Sequence, residues 1–200
     1  MTSDPDPAPP EARPIRLFVA VDVPDEVREL VERGVAPIRE RYPTGRWVPS
    51  PNQHVTVKFL GSTWPRDLDG VLACVGDVAT RHEPLETRVS ELGAFPSPRR
   101  ARVLWVGLDD PGAMLARIAA DLDDTLAQHV RPEKRAFTAH LTVARFDPPV
   151  RLEEDLAGLA LESRPFEVAW LTLYRSHLQR PAPRYEPMAT FPLGEAPRGR

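Results

Sequence analysis

The stretches LFVAVDVP (residues 17–24) and LWVGLDDP (residues 104–111) can be laid over each other position by position. Each is an apolar run followed by aspartate, one further residue and proline, the pattern of a buried strand that stops where a helix begins. Each also leads to a second stretch of one kind. HVTVKF (residues 54–59) starts 30 residues after Pro24, and HLTVAR (residues 140–145) starts 29 residues after Pro111. Two strand–helix–strand units of nearly equal length predict two lobes related by an approximate two-fold axis, each contributing one equivalent His-x-Thr strand to whatever lies between them.

Working outward from the repeat, apolar residues at helical spacing predict helices over 25–41, 68–80 and 111–129. β-branched or alternating runs predict strands over 15–23, 54–60, 85–95, 101–108, 137–146, 166–174 and 184–191. Strands and helices are mixed, with too few βαβ crossovers for a doubly wound sheet. The expected class is therefore α+β: two pseudo-symmetric lobes of antiparallel sheet with outer helices around a central cleft. Residues 1–14, with five prolines and three acids, read as a disordered leader, and 194–200 as a flexible tail. Between them, 15–193 is expected to be one bilobal domain.

Composition narrows the function class. A 200-residue chain that is 42% hydrophobic and 28% charged is globular, and no apolar run approaches the ~20 residues of a membrane helix. The N-terminus lacks the basic start and apolar stretch of a signal peptide, and Cys74 stands alone, so no internal disulfide framework forms. A cytoplasmic monomer is the default expectation. A net charge of −3 argues against coating a long duplex by bulk charge. Lys58 and Lys134 are the only lysines, which leaves 24 arginines among the 26 basic residues. Arginine suits bidentate phosphate contacts, although a codon bias gives the same skew.

Alternation along a strand puts His54 and Thr56 on one face and Val55, Val57 and Phe59 on the other. His140 and Thr142 likewise share a face, opposite Leu141 and Val143. With the apolar faces packed on helices, two His/Thr faces are free to line a cleft. Near pH 7 one imidazole can be neutral and its partner protonated, which supplies a general base and a general acid together. A threonine hydroxyl can donate to a phosphate oxygen. In-line displacement at phosphorus needs nucleophile and leaving group on opposite sides, and one histidine per lobe fits that geometry. The chemistry predicted is attack on a phosphodiester, most simply hydrolysis of a cyclic phosphate. Zinc-binding spacings of His and Cys, a Gly-x-Ser-x-Gly elbow and a Gly-Lys-Ser/Thr phosphate loop are all missing from the sequence, so no cofactor and no ATP is called for. His82 and His129 read as surface residues at helix ends, and His177 has no assigned role.

These residues resemble the two-histidine phosphoesterase superfamily, and within it the RNA 2′,3′-cyclic phosphodiesterases, also called 2′-5′ RNA ligases. Besides the doubled His-x-Thr, the resemblance includes residues 16–20, Trp47-Val48-Pro49, residues 58–61, Gly93-Ala94-Phe95-Pro96, residues 102–105, Phe137, residues 173–176 and Tyr185-Glu186-Pro187. It implies hydrolysis of a terminal 2′,3′-cyclic phosphate on RNA 3′ ends to a 2′-phosphate without metal or ATP, and 2′-5′ joining in some members. By the family's roles, His54 protonates the departing 3′-oxygen, His140 activates water, and Thr56 and Thr142 hold the phosphoryl oxygens. Ala139 stands where members often carry proline, and residues 178–184 (LQRPAPR) lack a usual glycine; their two prolines and two arginines suggest a different, basic loop near the end of the chain, which would alter substrate preference if it borders the cleft.

Three further candidates follow. Arg145 is a natural phosphate clamp, but strict alternation sets it opposite His140, so it reaches the cleft only if the strand twists or ends there. Lys58 shares the His54 face by parity and could add positive charge. Phe18 could stack a terminal base, or belong to the core like its repeat counterpart Trp105. Rival readings are a superfamily relative acting on a small cyclic phosphate or a 2′-5′ oligonucleotide, and an RNA-end binding module whose histidines only grip phosphate.

Overall fold

The computed structural model describes residues 13–161, 163–180 and 182–194. The expected leader and tail lie outside these residues apart from Arg13, Pro14 and Gly194. In chain order the elements are β1 (Ile15–Asp22), α1 (Asp25–Arg41), β2 (Arg46–Trp47), β3 (His54–Thr63), α2 (Leu68–Thr80), β4 (Leu85–Thr87), β5 (Val89–Phe95), β6 (Ala101–Leu108), α3 (Met114–Thr125), β7 (His140–Val150), α4 (Glu153–Leu156), β8 (Phe166–Val168), β9 (Trp170–His177) and β10 (Arg184–Pro192). Two expected strands are each broken in two. The runs at 85–95 and 166–174 give up their first residues, as β4 and β8, to a separate two-stranded ribbon.

The remaining strands form one antiparallel sheet in the order β10-β9-β1-β3-β7-β6-β5, with β2 added to β7. The repeat is visible in this order. β1 beside β3 answers β6 beside β7, and the two halves meet at one residue pair, Val55 with Leu141. No helix among the described residues is long and apolar enough to cross a membrane.

The halves are tied by their helices. α1 buries Val27, Val31, Val35 and Ile38, the i, i+4 stripe of an amphipathic helix. It docks on the segment that follows β7: Arg41 pairs with Asp155 at 2.9 Å and the Tyr42 hydroxyl donates to the Arg151 carbonyl at 2.6 Å. Gly34 allows close packing there, because a Cβ on it would displace the Leu161 side chain. Reciprocally, α3 of the second unit packs on β3 of the first and on α2. Each unit thus lends its helix to the other lobe, and a single apolar core runs through both.

A second repeated feature sets the site. In β3, Val19 of β1 faces Lys58 while Ala20 faces Thr56, so Val57 is an extra, unpaired residue. In β7, Leu104 of β6 faces Ala144 while Trp105 faces Thr142, so Val143 is the extra residue. Such a β-bulge turns two successive side chains to one side and inverts the alternation beyond it. Val57 and Lys58 are both buried, and so are Val143 and Ala144. Phe59 and Arg145 are correspondingly returned to the histidine face.

Candidate active site

Val55 and Leu141 are buried, so their neighbours on either side face away from the core. Continuing the antiparallel register one residue each way sets His54 across from Thr142, and Thr56 across from His140. The two histidines are then diagonal neighbours, about 7–8 Å apart at the backbone. The pair and its threonines, predicted from the sequence to share a cleft, are brought together at the seam.

Local hydrogen bonds fix each imidazole. His140 Nδ1 donates to the Thr138 carbonyl at 2.7 Å, and His54 makes the corresponding backbone bond with Asn52. In both cases the acceptor is two residues upstream. Nδ1 is thereby the protonated nitrogen of a neutral ring, and Nε2 is left to do chemistry. His54 Nε2 lies 3.1 Å from Thr56 Oγ1. The start of β3 is clamped by α1: Arg28 reaches the Gln53 carbonyl at 3.4 Å, and the buried Gln53 amide donates to Glu32 at 2.6 Å.

Aromatic rings support both histidines. His54 stacks on Phe18 with ring centres 4.8 Å apart and meets Tyr185 edge-on at 5.2 Å. Phe18 in turn stacks on Tyr174 at 5.2 Å. In the other lobe His140 meets the edges of Phe95 at 5.3 Å and Trp105 at 6.2 Å. Phe18 is 4% exposed, with its ring covered by His54, Tyr174 and Tyr185, so no free face is left for a base. The stacking role expected for it is corrected to that of a shelf beneath His54. Its counterpart Trp105 is buried, as expected of the core.

The bulges decide the other two candidates. Lys58 is 5% exposed and forms an ion pair with Asp123 of α3, on the side away from His54. Parity counting failed because it had no knowledge of the extra residue at Val57. Arg145 benefits from the same device: the bulge at Val143 carries it onto the His140 face, where its charge acts on both His140 and Tyr185 across the cleft. Phe59, which alternation assigns to the core, is instead 62% exposed on the histidine face.

Two more groups had no role assigned from the sequence. Asp22 is the cross-strand partner of His54 and accepts hydrogen bonds from the Tyr174 hydroxyl at 2.8 Å and the Thr172 hydroxyl at 3.1 Å. Burial, together with that bond, holds the Tyr174 phenol protonated well above its ordinary range. Asn52 donates to the Pro183 carbonyl at 2.8 Å, which brings the end of the 178–184 loop beside the first signature. Of the remaining histidines, His82 is buried against Asp121 at 2.8 Å rather than at the surface, and His177 pairs with Glu186 at 2.5 Å.

Electrostatically the two rings are alike in one respect and unlike in another. Burial pushes the His54 pKa down to about 4 and lowers that of His140 as well. The nearby charges differ: Asp22 favours a proton on His54 while Arg28 and His140 disfavour it, and Arg145 disfavours one on His140. Among the described residues, no three metal-ligating side chains converge.

Two histidines from matching strands, each beside a threonine on one face of the sheet, form the candidate site. The family model described as the 2′-5′ RNA ligase superfamily matches residues 20–180, and the chain belongs to that superfamily. It is 32% identical over 185 residues to the RNA 2′,3′-cyclic phosphodiesterase of Methanothermobacter thermautotrophicus, covering 90% of this chain and 99% of the relative. It is 28% identical to the enzyme of that name from Geobacillus stearothermophilus, spanning 92% of this chain but 59% of the relative's length. Among solved structures, a Thermus thermophilus protein superposes with TM-score 0.75 at 28% identity, covering 91% of this chain and 100% of that one. Escherichia coli LigT complexed with 3′-AMP gives 0.69 at 26% identity, covering 91% and 99%.

Proposed function

We propose that this protein is an RNA 2′,3′-cyclic phosphodiesterase in which His54 is the general acid and His140 the general base. The observation that carries the reading is the seam register, which makes the two imidazoles diagonal neighbours on one face, with His54 Nε2 beside the Thr56 hydroxyl and His140 held through Nδ1. The names of the relatives support the substrate class.

His140 Nε2 takes a proton from water, and the oxygen forms a bond to phosphorus. The bond from phosphorus to the 3′-oxygen breaks, and the proton on His54 Nε2 passes to that oxygen, leaving a 2′-phosphate and a free 3′-hydroxyl. Thr56, Thr142 and Arg145 bind the phosphoryl oxygens. One difference between the rings favours these roles: His54 has a carboxylate, Asp22, among its neighbours beside the cation Arg28, whereas His140 has only the cation Arg145 among the charges acting on it. Burial outweighs Asp22 in the empty cleft, so it is the anionic substrate that brings His54 to its protonated form. Phe59, exposed on the same face, supplies the stacking surface for the terminal base. Replacing water by a 5′-hydroxyl in the same displacement yields a 2′-5′ phosphodiester without ATP.

The test is incubation with a short RNA ending in a 2′,3′-cyclic phosphate, in the presence of EDTA. The reading predicts turnover to a 2′-phosphate. Binding without turnover supports an RNA-end binding module, and activity restricted to small cyclic nucleotides or to 2′-5′ oligonucleotides supports a different specificity.

A further inference from the structure

Arg46 and Arg145 are direct cross-strand partners on β2 and β7, so both side chains leave the same face of the sheet. The bulge at Val143 makes that the face of His140 and Thr142. Like charges directly opposite on paired strands destabilise them. Nothing among the described residues relieves this opposition, because neither guanidinium has an ion pair or a side-chain hydrogen bond. Arg39 and Arg41, close by in sequence, are both paired with carboxylates.

Arg46 is nevertheless held firmly. Its neighbour Trp47 donates from Nε1 to the Tyr42 carbonyl at 3.1 Å, meets Phe146 edge-on at 6.1 Å, and lies under the Arg39 guanidinium at 4.9 Å. The Val48 amide donates to the Val143 carbonyl at 2.8 Å. A Cβ on Gly45 would press on the Phe146 ring, so the chain enters β2 packed closely against that ring. β6 occupies one flank of β7, which leaves β2 on the flank that also receives β3. Arg46 therefore stands along the cleft from the histidines, beside Arg145 and about 10 Å of strand from Thr142.

One phosphate between the histidines already has two threonines and Arg145 for its oxygens. A second cation beyond them is placed to meet a second anion. A cyclic mononucleotide has none, whereas an RNA chain carries a phosphodiester one nucleotide upstream of its cyclic end. We propose that Arg46 binds this upstream phosphodiester and so makes the site selective for oligonucleotides over mononucleotides. The inference rests on the function proposed above.

The experiment compares 2′,3′-cyclic AMP with an RNA pentamer ending in a 2′,3′-cyclic phosphate, for the wild type and Arg46→Gln. The ratio of kcat/KM for pentamer to mononucleotide should fall roughly 10- to 100-fold, as for loss of one charge-assisted hydrogen bond. The salt dependence on the pentamer should become shallower by about 0.7 in logarithmic slope. The thermal midpoint should stay level or rise, since the substitution removes a like-charge opposition; a merely structural arginine would lower it. An unchanged ratio, or a loss equal on both substrates with a lowered midpoint, overturns the proposal. If the wild type turns over neither substrate, the functional reading itself fails and this inference with it.

Discussion

The lobe that carries His54 and the lobe that carries His140 share a backbone plan and differ in their charges. Both have the bulge after the His-x-Thr, the carbonyl two residues upstream of the histidine, and supporting aromatic rings, three for His54 and two for His140. Beyond the bulge, however, one lobe presents Phe59 and the other Arg145. The aspartates of the repeat also part company. Asp22 lies across from His54, but the register between β6 and β7 sets Gly107 across from His140, and Asp109 is paired with Arg88 at 2.7 Å. A duplicated scaffold thus supplies two matching imidazoles with unequal neighbours, and the proposed mechanism gives them separate work.

The largest effect should come from the feature the lobes share. His54→Ala and His140→Ala are each expected to lower kcat by about 10²–10⁴, measured on a cyclic-ended RNA, with little change in thermal midpoint. Near-normal turnover by either variant would remove that histidine from the mechanism.

The next effects probe what differs. Because burial depresses both histidines in the free protein, the bell-shaped profile of kcat/KM should peak below pH 6.5. The profile of kcat should lie at higher pH, since bound phosphate favours the protonated rings. A kcat/KM optimum above pH 7.5 would contradict this. Asp22→Asn removes the charge that favours protonated His54, so the alkaline limb of the kcat profile should move down by up to about one pH unit. Asp109→Asn, at the matching position of the repeat, should leave that limb in place. Equal shifts in the two variants would mean that the lobes are electrostatically equivalent.

Phe59→Ala should raise KM for RNA about tenfold with a smaller change in kcat, as loss of one stacking surface does. A KM unaltered by this variant would return the base to some other contact. The smallest effect on rate is expected from Lys58→Met. Its partner Asp123 is left without a counter-charge, costing about 1–3 kcal/mol of stability seen in denaturant titration, while turnover stays near normal. A large loss of rate in folded Lys58→Met would put the lysine back in the cleft.

The reach of the sequence can be traced residue by residue. Element limits were legible wherever composition punctuates the chain, as at Pro24 before α1 and across β6 at 101–108. The repeat identified the two strands that meet and the four side chains at their junction. The bulges were not legible, because Val57 and Val143 are ordinary strand residues and the extra length shows only against the partner strand. That single unknown exchanged Lys58 for Phe59 and brought Arg145 into the cleft. Asp22 was hidden for a related reason: its value depends on a cross-strand register that differs between two lobes of nearly identical pattern.

The division of labour between the lobes can be tested by changing the leaving group. With a sulfur atom replacing the 3′-oxygen of the cyclic phosphate, departure no longer needs a proton. His54→Ala should then recover to within about tenfold of the wild-type rate on the same substrate, and His140→Ala should remain impaired by the full factor. Recovery of His140→Ala instead would reverse the assignment, and recovery of neither would show that His54 does not act as the acid.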